Sequence, residues 1–230
     1  MAFYRLSRVC YNRGMKQLEA VIFDADGTIL DTRELVMQAI EHVLTEHGYE
    51  MPLKEDFLQY SGSPTEETYA RFAPNHDPRE LTTKHRIFQA EHFDLFDAYE
   101  GLHKLLRVLK EAGLKVGICT NRAVNVLDLL NHLGIKDEFD AIMHADLMDN
   151  VKPHPEGLLK VCKEMGVDVT RAVMVGDTDA DIGAGKAAGT AFTIGLTHGL
   201  GTRAMLEAEG ADYIVDHLND ILPIIAKHNG

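Results

Sequence analysis

The chain is short of cysteine, of basic charge and of long uninterrupted apolar sequence, and each shortage removes a class of function. Its 230 residues include only three cysteines, Cys10, Cys119 and Cys162, with no CxxC pair. So odd and scattered a set does not build a disulfide framework, and a reduced, cytoplasmic setting is expected. Lys and Arg number 23 against 36 Asp and Glu, giving a formal charge of −13 at pH 7. That field repels nucleic acid and anionic membrane surfaces, whose affinity for proteins comes from clustered Lys and Arg. No stretch approaches the roughly 18 apolar residues of a membrane span, so neither nucleic acid nor membrane is an expected partner. The twelve histidines form no HExxH and no Cys/His cluster with zinc spacing.

Residues 1–17 stand apart. They carry Arg5, Arg8, Arg13 and Lys16, have no acid before Glu19, and lack the apolar run of a secretory signal. A basic N-terminal extension is expected there, with Met15 as an alternative start.

What remains has the composition of an ordinary globular protein, 45% hydrophobic and 26% charged. Short apolar runs recur at Ala20–Phe23, Leu114–Cys119, Phe139–Met143, Ala172–Val175, Ala191–Ile194 and Tyr213–Val215. None alternates strictly, so each reads as a strand buried on both faces. Helical stretches lie between them and stop at Gly48, Gly113, Gly134, Gly166 and Gly189. The order strand, helix, strand, helix predicts an α/β fold: a doubly wound, Rossmann-like parallel sheet with ligands at the carboxyl ends of its strands. One interval breaks the rhythm. Residues 33–97 carry helical periodicity and polar turns without a buried strand, and are expected to form an inserted all-helical cap on a core made of 18–32 and 98–230.

Four groups follow predicted strands: Asp24-Ala25-Asp26-Gly27-Thr28, Thr120-Asn121, Lys152-Pro153 and Gly176-Asp177-Thr178-Asp179-Ala180-Asp181. Singly, each has an ordinary reading as an Asp-Gly turn, a helix N-cap or a solvated lysine. Jointly, at strand ends, they supply what phosphoryl transfer needs: carboxylates for a divalent cation, one carboxylate free to attack, and a lysine and hydroxyl for phosphate oxygens. An acidic protein that binds phosphate must reverse its own field locally, and these groups do so. Asp24, Asp177 and Asp181 in one crevice would repel by roughly 4 kcal/mol per pair at about 4 Å and an effective dielectric of about 20. An all-oxygen set with several carboxylates suits Mg²⁺ better than zinc.

FDADGTILD, the Thr-Asn pair, Lys-Pro and VGDTDADIGAGKAAG together resemble the four motifs of the haloacid dehalogenase superfamily. The resemblance runs over about residues 18–225; the last motif and Thr197-His198-Gly199 look most like the phosphoglycolate phosphatase branch. It implies a magnesium-dependent phosphatase acting on a small phosphorylated metabolite. Asp24 would be the nucleophile and Asp26 the acid, then base, with Thr120 and Lys152 stabilising charge. It implies metal ligands at Asp24, the Asp26 carbonyl and Asp177, with Asp181 direct or one layer behind. The amides of Gly27 and Asn121 would bind phosphate oxygens, Asn121 from the start of a helix, with Thr28 and Arg122 nearby. Tyr60 to Pro64, including Ser61 and Gly62, sits where related enzymes carry a substrate-selecting loop, and Arg71, Arg79 and Arg86 are candidates for a substrate carboxylate.

Asp26 disfavours a dehalogenase, which lacks the second acid, and a phosphonate hydrolase, which typically replaces it. A β-phosphoglucomutase-like mutase, a sugar phosphatase and a pyrophosphatase remain open. A phosphoacceptor signalling domain is disfavoured by the order of its acids, and a catalytically silent binding protein by the filled catalytic positions. Monomer and homodimer are equally compatible with the sequence.

Overall fold

The computed structural model of the chain describes residues 17–53 and 64–229. Residues 1–16, and Tyr60 to Ser63 with the substrate-loop candidates Ser61 and Gly62, lie outside the described residues. In chain order the strands are β1 (Ala20–Phe23), β2 (Leu30–Asp31), β3 (Asp97–Ala98), β4 (Lys115–Cys119), β5 (Ala141–Met143), β6 (Ala172–Gly176), β7 (Phe192–Leu196) and β8 (Tyr213–Val215). The helices are α1 (Arg33–Glu46), α2 (Thr65–Phe72), α3 (Pro78–Glu91), α4 (Leu102–Glu111), α5 (Val126–His132), α6 (Glu156–Met165), α7 (Asp179–Ala188), α8 (Arg203–Glu209) and α9 (Ile221–Asn229).

The six apolar runs are the six strands of one sheet, ordered β5-β4-β1-β6-β7-β8, with every pair parallel. Their continuous hydrophobicity follows from cover on both faces. Along β1, Val21 and Phe23 join the core beneath α4, α5 and α9, while Ala20 and Ile22 join the opposite core beneath α6 and α7. Val173 and Val175 against Ala172 and Met174 repeat the division on β6. Fully burying each large aliphatic or aromatic side chain here contributes about 1.5–3 kcal/mol, which makes β1 and β6 the rigid centre of the molecule.

The chain steps from β1 outward to β4 and β5 on one side, then to β6, β7 and β8 on the other. The order therefore reverses around β1, and the crevice at its carboxyl end is where a doubly wound sheet admits ligands. Between β2 and β3, helices α1, α2 and α3 gather around their own apolar cluster of Ile40, Val43, Leu44, Tyr69, Ala73 and Leu81. The short antiparallel pair β2–β3, with Leu30 opposite Ala98, closes the base of this excursion. Helix α3 starts sharply because Pro78 occupies its first turn and the Asp77 carboxylate accepts the Arg79 amide at 2.9 Å.

Candidate active site

The carboxyl end of β1 delivers Asp24 to the floor of a cleft of about 270 Å³ that lies between the sheet and helices α1–α3. The Asp24 amide donates to the Val175 carbonyl at 2.9 Å, so the strand pairing itself fixes where the carboxylate emerges. Lys152 Nζ donates to Asp24 Oδ1 and to Asp181 Oδ1, both at 2.6 Å, and all three side chains are buried. Asp24, Asp177 and Asp181 offer oxygens that lie within 4.8 Å of one another.

Electrostatics here are set by more acids than cations. Burial, with Asp181, Asp177 and Asp26 adding to it, raises the Asp24 carboxyl well above its ordinary range against the pull of Lys152. Burial and Asp181 push Asp177 up to about 7 against its bonds from Thr28 and Leu200. Burial alone would discharge Lys152, but Asp181 and Asp24 outweigh it and hold the ammonium protonated. A single charge divided between two carboxylates stays firmly on lysine while compensating neither acid fully. A buried, all-oxygen, over-acidic cluster of this kind fits a hard divalent cation. Asp24, Asp177 and Asp181 each offer it an oxygen; Asp181 Oδ2 also accepts the Thr178 amide at 2.9 Å and hydroxyl at 2.7 Å.

Asp26, two residues beyond Asp24, points toward the other side of the cleft. Arg122 grips it with two hydrogen bonds of 2.7 Å, and Thr32 Oγ1 adds a third at 2.6 Å. Partial burial works to raise this carboxyl, but the Arg122 charge and bonds, with Thr32, prevail and hold it below the ordinary carboxylate range. The third guanidinium nitrogen, Nη1, donates to Gln89 Oε1 of α3 at 2.7 Å.

The residues expected around the phosphate make contacts of their own within the protein. The Arg122 side chain is only 7% exposed and is committed to Asp26. Asn121 does not begin a helix. The Arg122 carbonyl accepts from the Ala145 amide and the Val124 amide goes to Asp146, so the segment is drawn into loop contacts and α5 starts only at Val126. The Asn121 side chain instead donates to the Lys152 carbonyl at 3.0 Å and accepts its amide at 2.9 Å. Thr28 is fully buried and gives its hydroxyl to Asp177 Oδ1 at 2.7 Å, so it serves the acid cluster rather than a phosphate. The Gly27 amide donates to the Leu30 carbonyl at 2.8 Å. What requires glycine there is a φ of +75° and the Asp177 carboxylate standing where a Cβ would be. Thr120 is buried, lines the cleft and accepts the Arg122 amide at 3.2 Å, leaving its hydroxyl hydrogen for the cleft.

Other contributors were not among the expected site residues, although Thr197-His198-Gly199 carried part of the family resemblance. The loop after β7 backs the acid cluster: the Leu200 amide donates to Asp177 Oδ2 at 2.8 Å, and His198 meets the Thr28 carbonyl at 3.0 Å while stacking on Tyr99. Thr32 and Gln89 reach Asp26 directly and through Arg122. The one sequence hint for Gln89 is its place on the Leu81, Thr82, His85 face of α3, which is polar where a helix packing on a core is normally apolar.

Comparison with known proteins agrees with this geometry. The family model described as Haloacid dehalogenase-like hydrolase matches residues 21–194. A pyrophosphatase PpaX of Bacillus cereus (strain B4264) is 35% identical over 215 residues, covering 93% of this chain and 99% of that protein. The β-phosphoglucomutase of Clostridium difficile superposes with a TM-score of 0.80 at 27% identity, over 93% of this chain and 98% of that one. A predicted phosphoglycolate phosphatase of Haemophilus somnus 129pt shares the fold, with a TM-score of 0.82 at 22% identity over 92% and 99% of the two chains.

Proposed function

The chain belongs to the haloacid dehalogenase-like hydrolases and is a phosphoric ester hydrolase, and from that premise we propose a magnesium-dependent phosphatase working through an aspartyl-phosphate on Asp24. Its substrate is a small phosphorylated metabolite of the phosphoglycolate type, met in a reduced cytoplasm. The observation that carries the reading is the division of labour between two acids two residues apart. Asp24 sits in the Lys152 cluster, and Asp26 sits at the cleft wall in the grip of Arg122.

A magnesium ion held at Asp24 and Asp177, with the Asp26 carbonyl, supplies charge neutralisation and polarisation of the phosphoryl group. The protein's own groups do the rest. An Asp24 oxygen forms a bond to phosphorus as the bond to the leaving oxygen breaks, and Lys152 and the Thr120 hydroxyl face the oxygens that gain charge. Asp26, protonated, gives its hydrogen to the departing alkoxide; as a carboxylate it then takes a proton from the water that hydrolyses the aspartyl-phosphate. Arg122 and Thr32 hold Asp26 in the carboxylate form that the water step uses, so the acid step calls for Asp26 to turn away from Arg122.

A second reading, pyrophosphate hydrolysis, is favoured by the similarity to the Bacillus cereus pyrophosphatase over nearly the whole chain. The deciding experiment measures phosphate release from phosphoglycolate, pyrophosphate, sugar phosphates and nucleotides with Mg²⁺ and after chelation. Turnover of one small compound that vanishes on chelation is expected. Full activity without metal, or no release from any compound, would refute the proposal.

A further inference from the structure

Helix α3 turns an unusual face toward the catalytic centre. Thr82, His85, Arg86 and Gln89, spaced so that they share one side of a helix, all line the cleft. Thr82 is 3% exposed and Gln89 2%, yet among the described residues Thr82 Oγ1 and Gln89 Nε2 have no hydrogen-bond partner. A threonine inside a helix ordinarily bonds the carbonyl four residues back, and the adjacent, exposed Thr83 does so with Arg79 at 2.9 Å. Thr82 leaves its hydroxyl unused among the described residues, in the cleft that Asp24 and Asp26 also line.

The Gln89 orientation is fixed by its neighbour. Arg122 Nη1 can only donate, so the amide atom 2.7 Å away is the oxygen. Nε2, with two hydrogens, is therefore the atom left over. Buried donors without acceptors carry their full desolvation cost, and two on one helix face, beside a reaction centre, indicate a ligand that accepts from them. The charges around them give its sign. Lys152 and Arg122 are committed to Asp24, Asp181 and Asp26, whereas Arg86 has no ion-pair partner among the described residues. The acids at the rim are engaged, Glu66 within 4.0 Å of Arg79 and Asp146 accepting the Val124 amide at 2.7 Å. Of the three arginines that sequence alone left equal, Arg71 and Arg79 do not line the cleft and Arg86 does.

We propose that the inward face of α3, through Thr82, Arg86 and Gln89, is a leaving-group subsite that takes an oxyanion carried by the leaving group, a carboxylate or a second phosphoryl group. This rests on the phosphatase reading above and adds to it the residues that select the substrate. A polyol leaving group offers hydroxyls that must themselves donate, and this face presents no comparable row of acceptors, since Gln89 Oε1 is already taken by Arg122.

The test compares kcat/KM for phosphoglycolate and pyrophosphate with that for 2-hydroxyethyl phosphate, which has the size of phosphoglycolate and no second oxyanion. The wild-type protein with Mg²⁺ should prefer one of the two oxyanion compounds by about tenfold or more, and which one identifies the oxyanion as carboxylate or phosphoryl. Gln89→Glu keeps the acceptor for Arg122 but sets a negative charge against the ligand; it and Arg86→Met should each lower that preference about tenfold, and Thr82→Val about threefold. Equal wild-type rates on all three compounds, or a preference unchanged in every variant, would overturn the subsite and leave the phosphatase intact. Absence of release from every compound, p-nitrophenyl phosphate included, would overturn both.

Discussion

The two walls of the cleft are built on opposite terms. On the sheet side every ionisable group is already held: Lys152 by two carboxylates, Asp181 by lysine and its own helix turn, Asp177 by Thr28 and Leu200, Asp26 by Arg122 and Thr32. On the α3 side the groups are mostly neutral, and two buried ones are unsatisfied. Chemistry that is the same for every substrate is wired in advance, while the part that must distinguish substrates keeps hydrogen-bonding capacity for the ligand.

The contrast can be broken hardest on the sheet side. Asp24→Ala removes the attacking oxygen, and hydrolysis should fall on the order of 10⁴-fold or more with any leaving group, with no acid-stable phosphoprotein detectable after rapid quench. Lys152→Met leaves Asp24 and Asp181 buried without a cation. It should cost about 3–5 kcal/mol in urea unfolding under chelator, a loss that Mg²⁺ partly restores.

Asp26→Ala sharpens the comparison instead of abolishing it. Alkyl phosphates should lose about 10²–10³-fold in kcat/KM and p-nitrophenyl phosphate much less, because p-nitrophenolate departs without protonation. Wild-type rates on alkyl phosphates would contradict the assignment of Asp26 as the acid.

The smallest expected effect tests the neutral wall through pH. Burial, with Arg122 adding to it, holds the His85 imidazole down to about 3, and Tyr69 meets its Nδ1 at 2.9 Å. Between about 3 and the unfolded value near 6.5 the unfolded chain binds a proton that the folded chain refuses, so this group makes stability fall as pH falls through that window, by at most about 1.4 kcal/mol per pH unit. The raised Asp177 has the opposite sign: its folded form keeps a proton up to about 7, so without metal it makes stability fall as pH rises. Urea midpoints of wild type and His85→Asn between pH 5 and 7, both in excess Mg²⁺, isolate the histidine; parallel curves would show that His85 is not the buried neutral group described.

Much of the sheet side was legible in the sequence because its residues are local. Asp24 and Asp26 share one loop, Asp177 and Asp181 another, and each follows a strand whose doubly buried character is written as an unbroken apolar run. The contacts of Thr28, Asn121 and Arg122 were less legible, because their partners lie far along the chain, at Asp177, Lys152 and Asp26, and a linear pattern does not encode what a side chain meets across a crevice. Strands β2 and β3 escaped for a related reason, since two residues are too few to show a period. The α3 face was visible only as polar interruptions in an amphipathic helix, which without the fold cannot be told from solvated positions.

The reciprocal bonding of Asn121 to both the amide and the carbonyl of Lys152 has a consequence for timing. An asparagine side chain has the same donor and acceptor as a peptide unit, so here it pairs with the Lys152 backbone as a neighbouring strand would. A lysine pinned at both backbone atoms has only its own side-chain torsions left to order, and two carboxylates have already ordered those. The roughly 2 kcal/mol of rotamer entropy that a free lysine loses on being fixed is incurred during folding, before any substrate arrives, and the encounter with phosphate begins with its cation at rest.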